Sequence, residues 1–321
     1  MERIEAILRN GVACHVTDIH VQADHIPWWR RAGELVPCQD EAVTLEDMRH
    51  WLSHWQLTCS GEGEHLSTAF TWHQGIRCRV HGAWEWAGYH LSLRLLYPLA
   101  WCQPDVDASL WQRLALLSSG FVLLTGPTGS GKTTALWHVL QYANTQRPCH
   151  IITLEDPIEY VVSSQKALLS QREYGCHFTS FADAVKQALR QDPDIILIGE
   201  LRDLETMEAA LTAAETGHLV LATMHTRTAA QTISRFVGTF PTGRQDEVRQ
   251  RLSLVLQAIV AQERVWQGES CRFYREILIQ TPAVSQLIRT GKDHQLETVL
   301  QTGAALGMRT MAQAKQQAGD R

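Results

Sequence analysis

The chain has 321 residues, 45% hydrophobic and 20% charged, an ordinary balance for one large or two medium folded domains that excludes a disordered chain or a coiled coil. Its formal net charge of −5 and pI near 6.3 leave no overall basic field to attract nucleic acid or anionic lipid. The longest apolar stretch, Leu114–Leu124, is broken by Ser118, Ser119 and Gly120 and falls short of a membrane-spanning helix.

At the N-terminus, Met1-Glu-Arg-Ile-Glu5 is acidic where a signal peptide would be basic and then apolar, so a cytoplasmic protein is expected, not integral to the membrane. The 8 cysteines, at 14, 38, 59, 78, 102, 149, 176 and 271, form no CxxC pair and are expected to stay reduced. Tryptophan is uneven: of 11, only Trp137 and Trp266 follow residue 111. In the Trp-rich part, Ile76–Val80 and His90–Leu95 alternate apolar and polar residues, which predicts half-buried antiparallel strands. Pro98 and Pro104 bracket a linker over 99–103, followed by a helix near Ala108–Leu117. The reading is a small α+β domain over 1–98 and a second domain over 104–321.

Beyond residue 120 the apolar runs become continuous at Phe121–Leu124, Ile151–Leu154, Ile195–Ile198 and Leu219–Ala222, with helical stretches between them. That alternation predicts an α/β fold, a mostly parallel sheet covered on both faces. The first run leads into Gly126-Pro127-Thr128-Gly129-Ser130-Gly131-Lys132-Thr133-Thr134, the phosphate-loop pattern between strand and helix. Its glycines let backbone N–H groups face phosphates, Lys132 would reach the β- and γ-phosphates, and Thr133 would offer its hydroxyl to Mg²⁺.

Hydrolysis also needs acidic groups at the carboxyl ends of parallel strands. Two acidic clusters lie there: Glu155, Asp156 and Glu159 after the second run, and Glu200 after the third, with Arg202 and Asp203 beyond it. Glu200 closes its run as a Walker B acid would. Pattern does not separate Glu155 from Glu159, and helix capping alone would account for Asp203. His218 and His225 bracket the fourth run, near the expected phosphate or as plain hydrogen-bonded residues. From Gly243 onward the chain reads as a helical tail, with one long amphipathic helix over Gln245–Gln262 and a short one over Val284–Arg289.

As a set, four blocks resemble the type II/IV secretion ATPase superfamily, and within it the PilT-type twitching-motility, pilus-retraction ATPases. They are the phosphate loop; Thr153–Glu159, similar to that family's Asp box; Asp192–Asp203, similar to its atypical Walker B; and Ala213–Thr226, similar to its His box. Thr17-Asp-Ile-His20 is similar to the family's N-terminal Ser-Asp-Leu-His segment. The resemblance implies a RecA-like P-loop NTPase domain behind a PAS-like one, assembled as a homohexamer with ATP between the domains and working on an inner-membrane pilus or secretion platform. It implies Glu159 as the water-activating glutamate, Glu200 as the Walker B acid holding Mg²⁺ with Thr133, and His218 and His225 as the His-box pair. Arg77, Arg79 and Arg94 lie in the strands where the family supplies arginines to the triphosphate.

One segment departs from the retraction type. Its Ala-Ile-Arg-Asn-Leu-Ile-Arg-Glu stretch is here Ala283-Val-Ser-Gln-Leu-Ile-Arg-Thr290, with Ser285 and Thr290 in place of the Arg and Glu. That makes a nucleotide-binding paralogue that regulates another secretion ATPase one alternative, and the nucleotide fold itself leaves a second, a RecA-like DNA motor. The acidic balance opposes the second.

Overall fold

A computed structural model describes residues 2–38, 41–57, 65–98, 101, 105–268 and 270–319. The chain folds as two compact units, Met1–Gln103 with Trp266–Cys271, and Pro104–Val265 with Arg272–Arg321. Of the expected linker over 99–103, all but Trp101 lies outside the described residues.

The first unit is built on a six-stranded antiparallel sheet. Its strands are β1 (Asp18–Gln22), β2 (Trp28–Arg31), β3 (Glu34–Pro37), β4 (Leu66–Thr71), β5 (Arg77–Glu85) and β6 (Gly88–Leu96), in the order β3-β2-β1-β6-β5-β4. Along β6 every second residue is buried, the period-2 signal of a sheet with one face on a core. The helices Glu2–Ala13 and Leu45–His54 supply Ile4, Ile7, Leu8, Met48, Trp51 and Leu52 to that core. The second of these helices starts at a reciprocal cap, in which Thr44 accepts from the Asp47 N–H and Asp47 accepts from the Thr44 N–H.

The second unit is a seven-stranded sheet in the order β13-β12-β7-β11-β10-β8-β9. The strands are β7 (Gly120–Thr125), β8 (His150–Glu155), β9 (Leu168–Glu173), β10 (Ile195–Ile198), β11 (Leu219–Met224), β12 (Leu256–Gln267) and β13 (Ser270–Ile279). Each neighbouring pair from β12 to β9 is parallel. The four apolar runs become β7, β8, β10 and β11, and β7, β10 and β11 are buried at every residue, as a sheet covered on both faces requires.

The tail differs from its sequence reading. The helix beginning at Gln245 stops at Val255, and Leu256 turns extended (φ −60°, ψ 129°) to start β12 beside β7. Leu256, Ala258, Ile259, Val260 and Ala261 are buried at 1% exposure or less. Apart from the half-buried Gln257 the segment 256–261 is apolar and buried, so it carries no two-residue period, and helix and central strand look alike in sequence. The edge strand β9 and the strand β13 have no counterpart in the sequence reading either. Helices do follow β13, at Pro282–Arg289, Leu296–Thr302 and Met311–Gln317.

Candidate functional site

Parallel strands bring their carboxyl ends to one edge, and the second unit spends that edge on polar groups. β7 opens into the phosphate loop, β8 ends at Glu155, β10 is followed by Gly199-Glu200, and β11 is followed by His225. The loop is shaped by glycines at positive φ. Gly126 (φ +145°) lies so close to the Gln262 carbonyl that a Cβ would collide with it, and a Cβ on Gly131 (φ +84°) would stand 2.9 Å from the Phe273 ring and 3.0 Å from Gln262 Nε2. Pro127, Thr128 and Gly129 are exposed, while Ser130 is buried. The Ser130 hydroxyl has no hydrogen-bond partner among the described residues, so a polar atom remains open to a ligand.

Lys132 begins the helix Lys132–Gln146 and is 8% exposed. Its Nζ donates to the carbonyls of Gly126 (2.9 Å) and Pro127 (3.0 Å). Burial pulls this ammonium below the ordinary lysine range, while the charges of Glu200 and Glu159 act in the opposite direction. Both predicted carboxylates are therefore close enough to be felt at the predicted lysine. Thr133 is half-buried on the next helical residue, and Thr134 Oγ1 meets the Tyr160 hydroxyl at 3.0 Å.

Glu200 sits in a charged cluster. Arg202 pairs with one carboxylate oxygen, His225 Nε2 lies 3.5 Å from the other, and Arg202 Nη1 lies 3.5 Å from Asp156. Burial, and then the Lys132 charge, hold His225 below the ordinary imidazole range against the pull of Glu200. Gly199 brings the chain across the sheet edge, with its N–H bonded to the Leu154 carbonyl at 2.8 Å. Beyond it, Asp203 caps the helix Leu204–Glu215, accepting from the N–H (2.8 Å) and hydroxyl (2.9 Å) of Thr206. Its carboxylate is thus occupied by capping.

Geometry separates the two glutamates that pattern alone leaves together. Glu155 is 3% exposed and accepts from Thr153 Oγ1 (2.6 Å) and Gln171 Nε2 (3.2 Å). Burial raises its pKa to about 7. Glu159 lies four residues on, half-buried in the loop after β8.

The His-box pair does not stay together. Leu219 pairs with Gly120 and Met224 with Thr125, so His218 lies at the amino edge of the sheet and His225 at the phosphate-loop edge. A six-residue strand separates them, a length of about 20 Å. His218 Nδ1 instead meets the Ala213 carbonyl (3.0 Å) and Thr216 Oγ1 (3.1 Å). Within one chain, His225 shares an edge of the sheet with the phosphate loop, and His218 lies at the opposite edge.

The three candidate arginines belong to the first unit. Arg79 on β5 faces Arg94 on β6, and Arg94 faces Asp18 on β1. Arg94 Nε donates to Asp18 Oδ1 at 2.7 Å, tying it to the Thr17–His20 segment, and Arg77 Nη1 lies 3.3 Å from Thr71 Oγ1. Sequence reading missed Gln262, whose Nε2 donates to the Ser130 carbonyl at 2.5 Å, and Arg275, which donates to Gln262 Oε1 at 2.6 Å. A glutamine closing the apolar run 256–261 was the available signal, once that run is seen as a strand. The six described cysteines are all free, and Cys59 and Cys102 lie outside the described residues. No helix among the described residues is long and apolar enough to cross a membrane.

A family model of type II/IV secretion system proteins matches residues 102–302. The chain belongs to this family. It is 42% identical over 316 residues to the uncharacterized protein YggR of Escherichia coli K12, a match spanning 98% of this chain and 97% of that protein. A twitching motility protein of Neisseria gonorrhoeae is 51% identical over 210 residues, 65% of this chain and 56% of the relative. Among solved structures, the crystal structure of a pilus retraction motor, PilT, with bound ADP superposes with TM-score 0.80 at 34% identity, covering 97% of this chain and 91% of that one. The α/β nucleotide fold and the PilT-type resemblance read from the four blocks are both met. This secretion-family chain is a nucleotide-binding ATP hydrolase.

Proposed function

We propose that the chain is the Mg²⁺-dependent ATPase of a pilus-retraction motor, working as a homohexamer on a platform at the cytoplasmic face of the inner membrane. The observation that carries the chemistry is the convergence of Lys132, Glu159, Glu200 and His225 around one glycine-shaped loop. Similarity to a retraction motor over 97% of the chain carries the choice of machine.

The residues present fit a nucleoside triphosphate and its metal. Gly126 and Gly131 hold the loop at positive φ where Gln262 and Phe273 leave no room for a Cβ, and the Ser130 hydroxyl is without a hydrogen-bond partner among the described residues. N–H groups of residues 128–134 and the amino end of the helix Lys132–Gln146 bind the phosphates. Lys132 exchanges the two loop carbonyls for phosphate oxygens and neutralises charge that builds on the γ-phosphoryl group. Thr133 and Glu200 would hold Mg²⁺, which when bound neutralises phosphate oxygens. For Glu200 to do so, Arg202 has to yield its hold on one carboxylate oxygen. Glu159 takes the proton of the attacking water, and Glu155, buried and bonded to Thr153 and Gln171, shapes the strand end beneath it. His225, held neutral, sits beside Glu200 as a hydrogen-bonding group. Arg77, Arg79 and Arg94 remain the arginines we assign to the triphosphate from the first unit, and His218 a His-box residue acting away from this chain's own loop.

Deleting the gene in its native cells tests the assignment. Loss of twitching with pili accumulating on the surface is expected, restored by the wild-type gene and not by Glu200→Gln. Unchanged twitching and pilus number would refute retraction as the output.

A further inference from the structure

Arg275, on β13, is 1% exposed. Its Nη1 donates to Asp105 Oδ1 (2.7 Å) and Asp107 Oδ2 (2.7 Å), its Nη2 to Asp105 Oδ2 (2.6 Å), and its Nε to Gln262 Oε1 (2.6 Å). The guanidinium carbon stands 4.9 Å from the Trp111 ring centroid. Arg309 completes the cluster, donating to Asp107 Oδ2 (2.6 Å) and to the Arg275 carbonyl (3.0 Å). Burial works to raise the Asp105 pKa, and Arg275 together with hydrogen bonds from the Asp107 N–H and Trp111 more than offsets it, leaving the carboxyl below its ordinary range.

Two guanidinium groups facing two carboxylates balance in charge, but a buried ionic cluster is a poor way to gain stability over apolar packing. Its geometry has a directional result instead. Because Arg275 donates to Gln262 Oε1, the Gln262 amide has one orientation, and its Nε2 must face the Ser130 carbonyl. The Ser130–Gly131 peptide is planar, so fastening that carbonyl also fixes the direction of the Gly131 N–H on the other side of the same plane. That N–H is one of the donors the loop presents ahead of Lys132. The backbone carbonyl of Gln262 lies against Gly126, so one residue of β12 braces both ends of the loop.

We propose that Gln262 is a positioning residue for the phosphate loop and that the Asp105–Arg275 pair sets it. ATP affinity then answers to the segment through which the chain enters this unit, the first residues after the linker. The inference rests on the ATPase reading and goes beyond it, since Asp105 bonds to Arg275 and to the Asp107 N–H rather than to the loop itself.

The test measures affinity for a fluorescent ATP analogue in the full chain, with a thermal melt of each sample. Gln262→Met keeps the volume and loses both polar contacts, and affinity should fall about five- to tenfold. Gln262→Glu still accepts from Arg275 but, ionised, sets an oxygen against the Ser130 carbonyl, so affinity should fall, and the melt of the same sample shows that the chain is still folded at the assay temperature. A purely structural glutamine would leave affinity unchanged in both variants. Asp105→Asn should weaken binding about threefold in the wild-type background and not further when combined with Gln262→Met, because coupled positions are not additive. Wild-type affinity in both Gln262 variants, or an Asp105→Asn effect that multiplies undiminished onto Gln262→Met, overturns the proposal. Should Asp105→Asn fail to fold, Gln262→Glu alone decides. A wild-type chain that does not bind the analogue overturns the ATPase reading itself, a result distinct from any behaviour of the variants.

Discussion

Lys132 holds a charge in a place that resists it, 8% exposed and bonded to two carbonyls of its own loop. Such a group costs stability unless a partner of opposite charge arrives, and a triphosphate is that partner. Lys132→Ala should therefore lower ATP turnover by at least about 100-fold while far-UV circular dichroism and the melting temperature stay at or above wild type. A large loss of fold instead would mean that the lysine serves structure. Glu155 gives a pH signature. Its folded pKa of about 7 lies above the ordinary glutamate value of 4.5, so between those values the folded chain binds more protons than the unfolded one. Stability from this group is full at low pH and is lost as pH rises towards 7. Glu155→Gln, which keeps the neutral shape, should melt close to wild type at pH 5 and above it at pH 8, by about a few degrees. A difference that is the same at both pH values would contradict the buried neutral carboxyl.

At the scale of elements, the loop, strand ends and caps set where chemistry can sit. Gly126→Ala would drive a Cβ into the Gln262 carbonyl at a φ of +145°, and the expected outcome is loss of nucleotide binding measured by titration calorimetry. Asp203→Ala removes the cap of the helix Leu204–Glu215 and should cost about 1 kcal/mol in a denaturant curve. The phosphate loop was legible because glycine, lysine and threonine are demanded by contacts within nine consecutive residues. β7, β8, β10 and β11 were legible because each run has turns or helices on both sides. β12 was not, since it follows a helix directly and Ala258–Ala261 is buried at every residue, which erases the two-residue period. Gln262 and Arg275 were hidden for a different reason: their roles exist only once β12 and β13 lie side by side. The two histidines bracket a strand in sequence, and the length of that strand puts them at opposite edges of the sheet.

For the whole molecule, the family membership rests on residues 102–302, while the match to YggR and the superposition on a PilT motor extend over nearly the entire chain. The first unit is thus shared with relatives as well as the nucleotide fold. The Ser285 that replaces the family's arginine is 7% exposed, donates to the Ser253 carbonyl at 2.8 Å and accepts from Gln280 at 2.9 Å. These two bonds build it into the packing of its helix. A motor and a regulatory paralogue differ at this scale by one property, turnover. The decisive measurement is phosphate release by the purified full chain with Mg-ATP, wild type beside Glu200→Gln, with mass by light scattering on the same samples. Turnover from a hexamer is expected in the wild type and at least about 100-fold less in the variant, with the hexamer retained. A folded wild-type hexamer that binds ATP without releasing phosphate, or a Glu200→Gln chain that turns over as fast as wild type, would contradict the assignment of this chain as a motor.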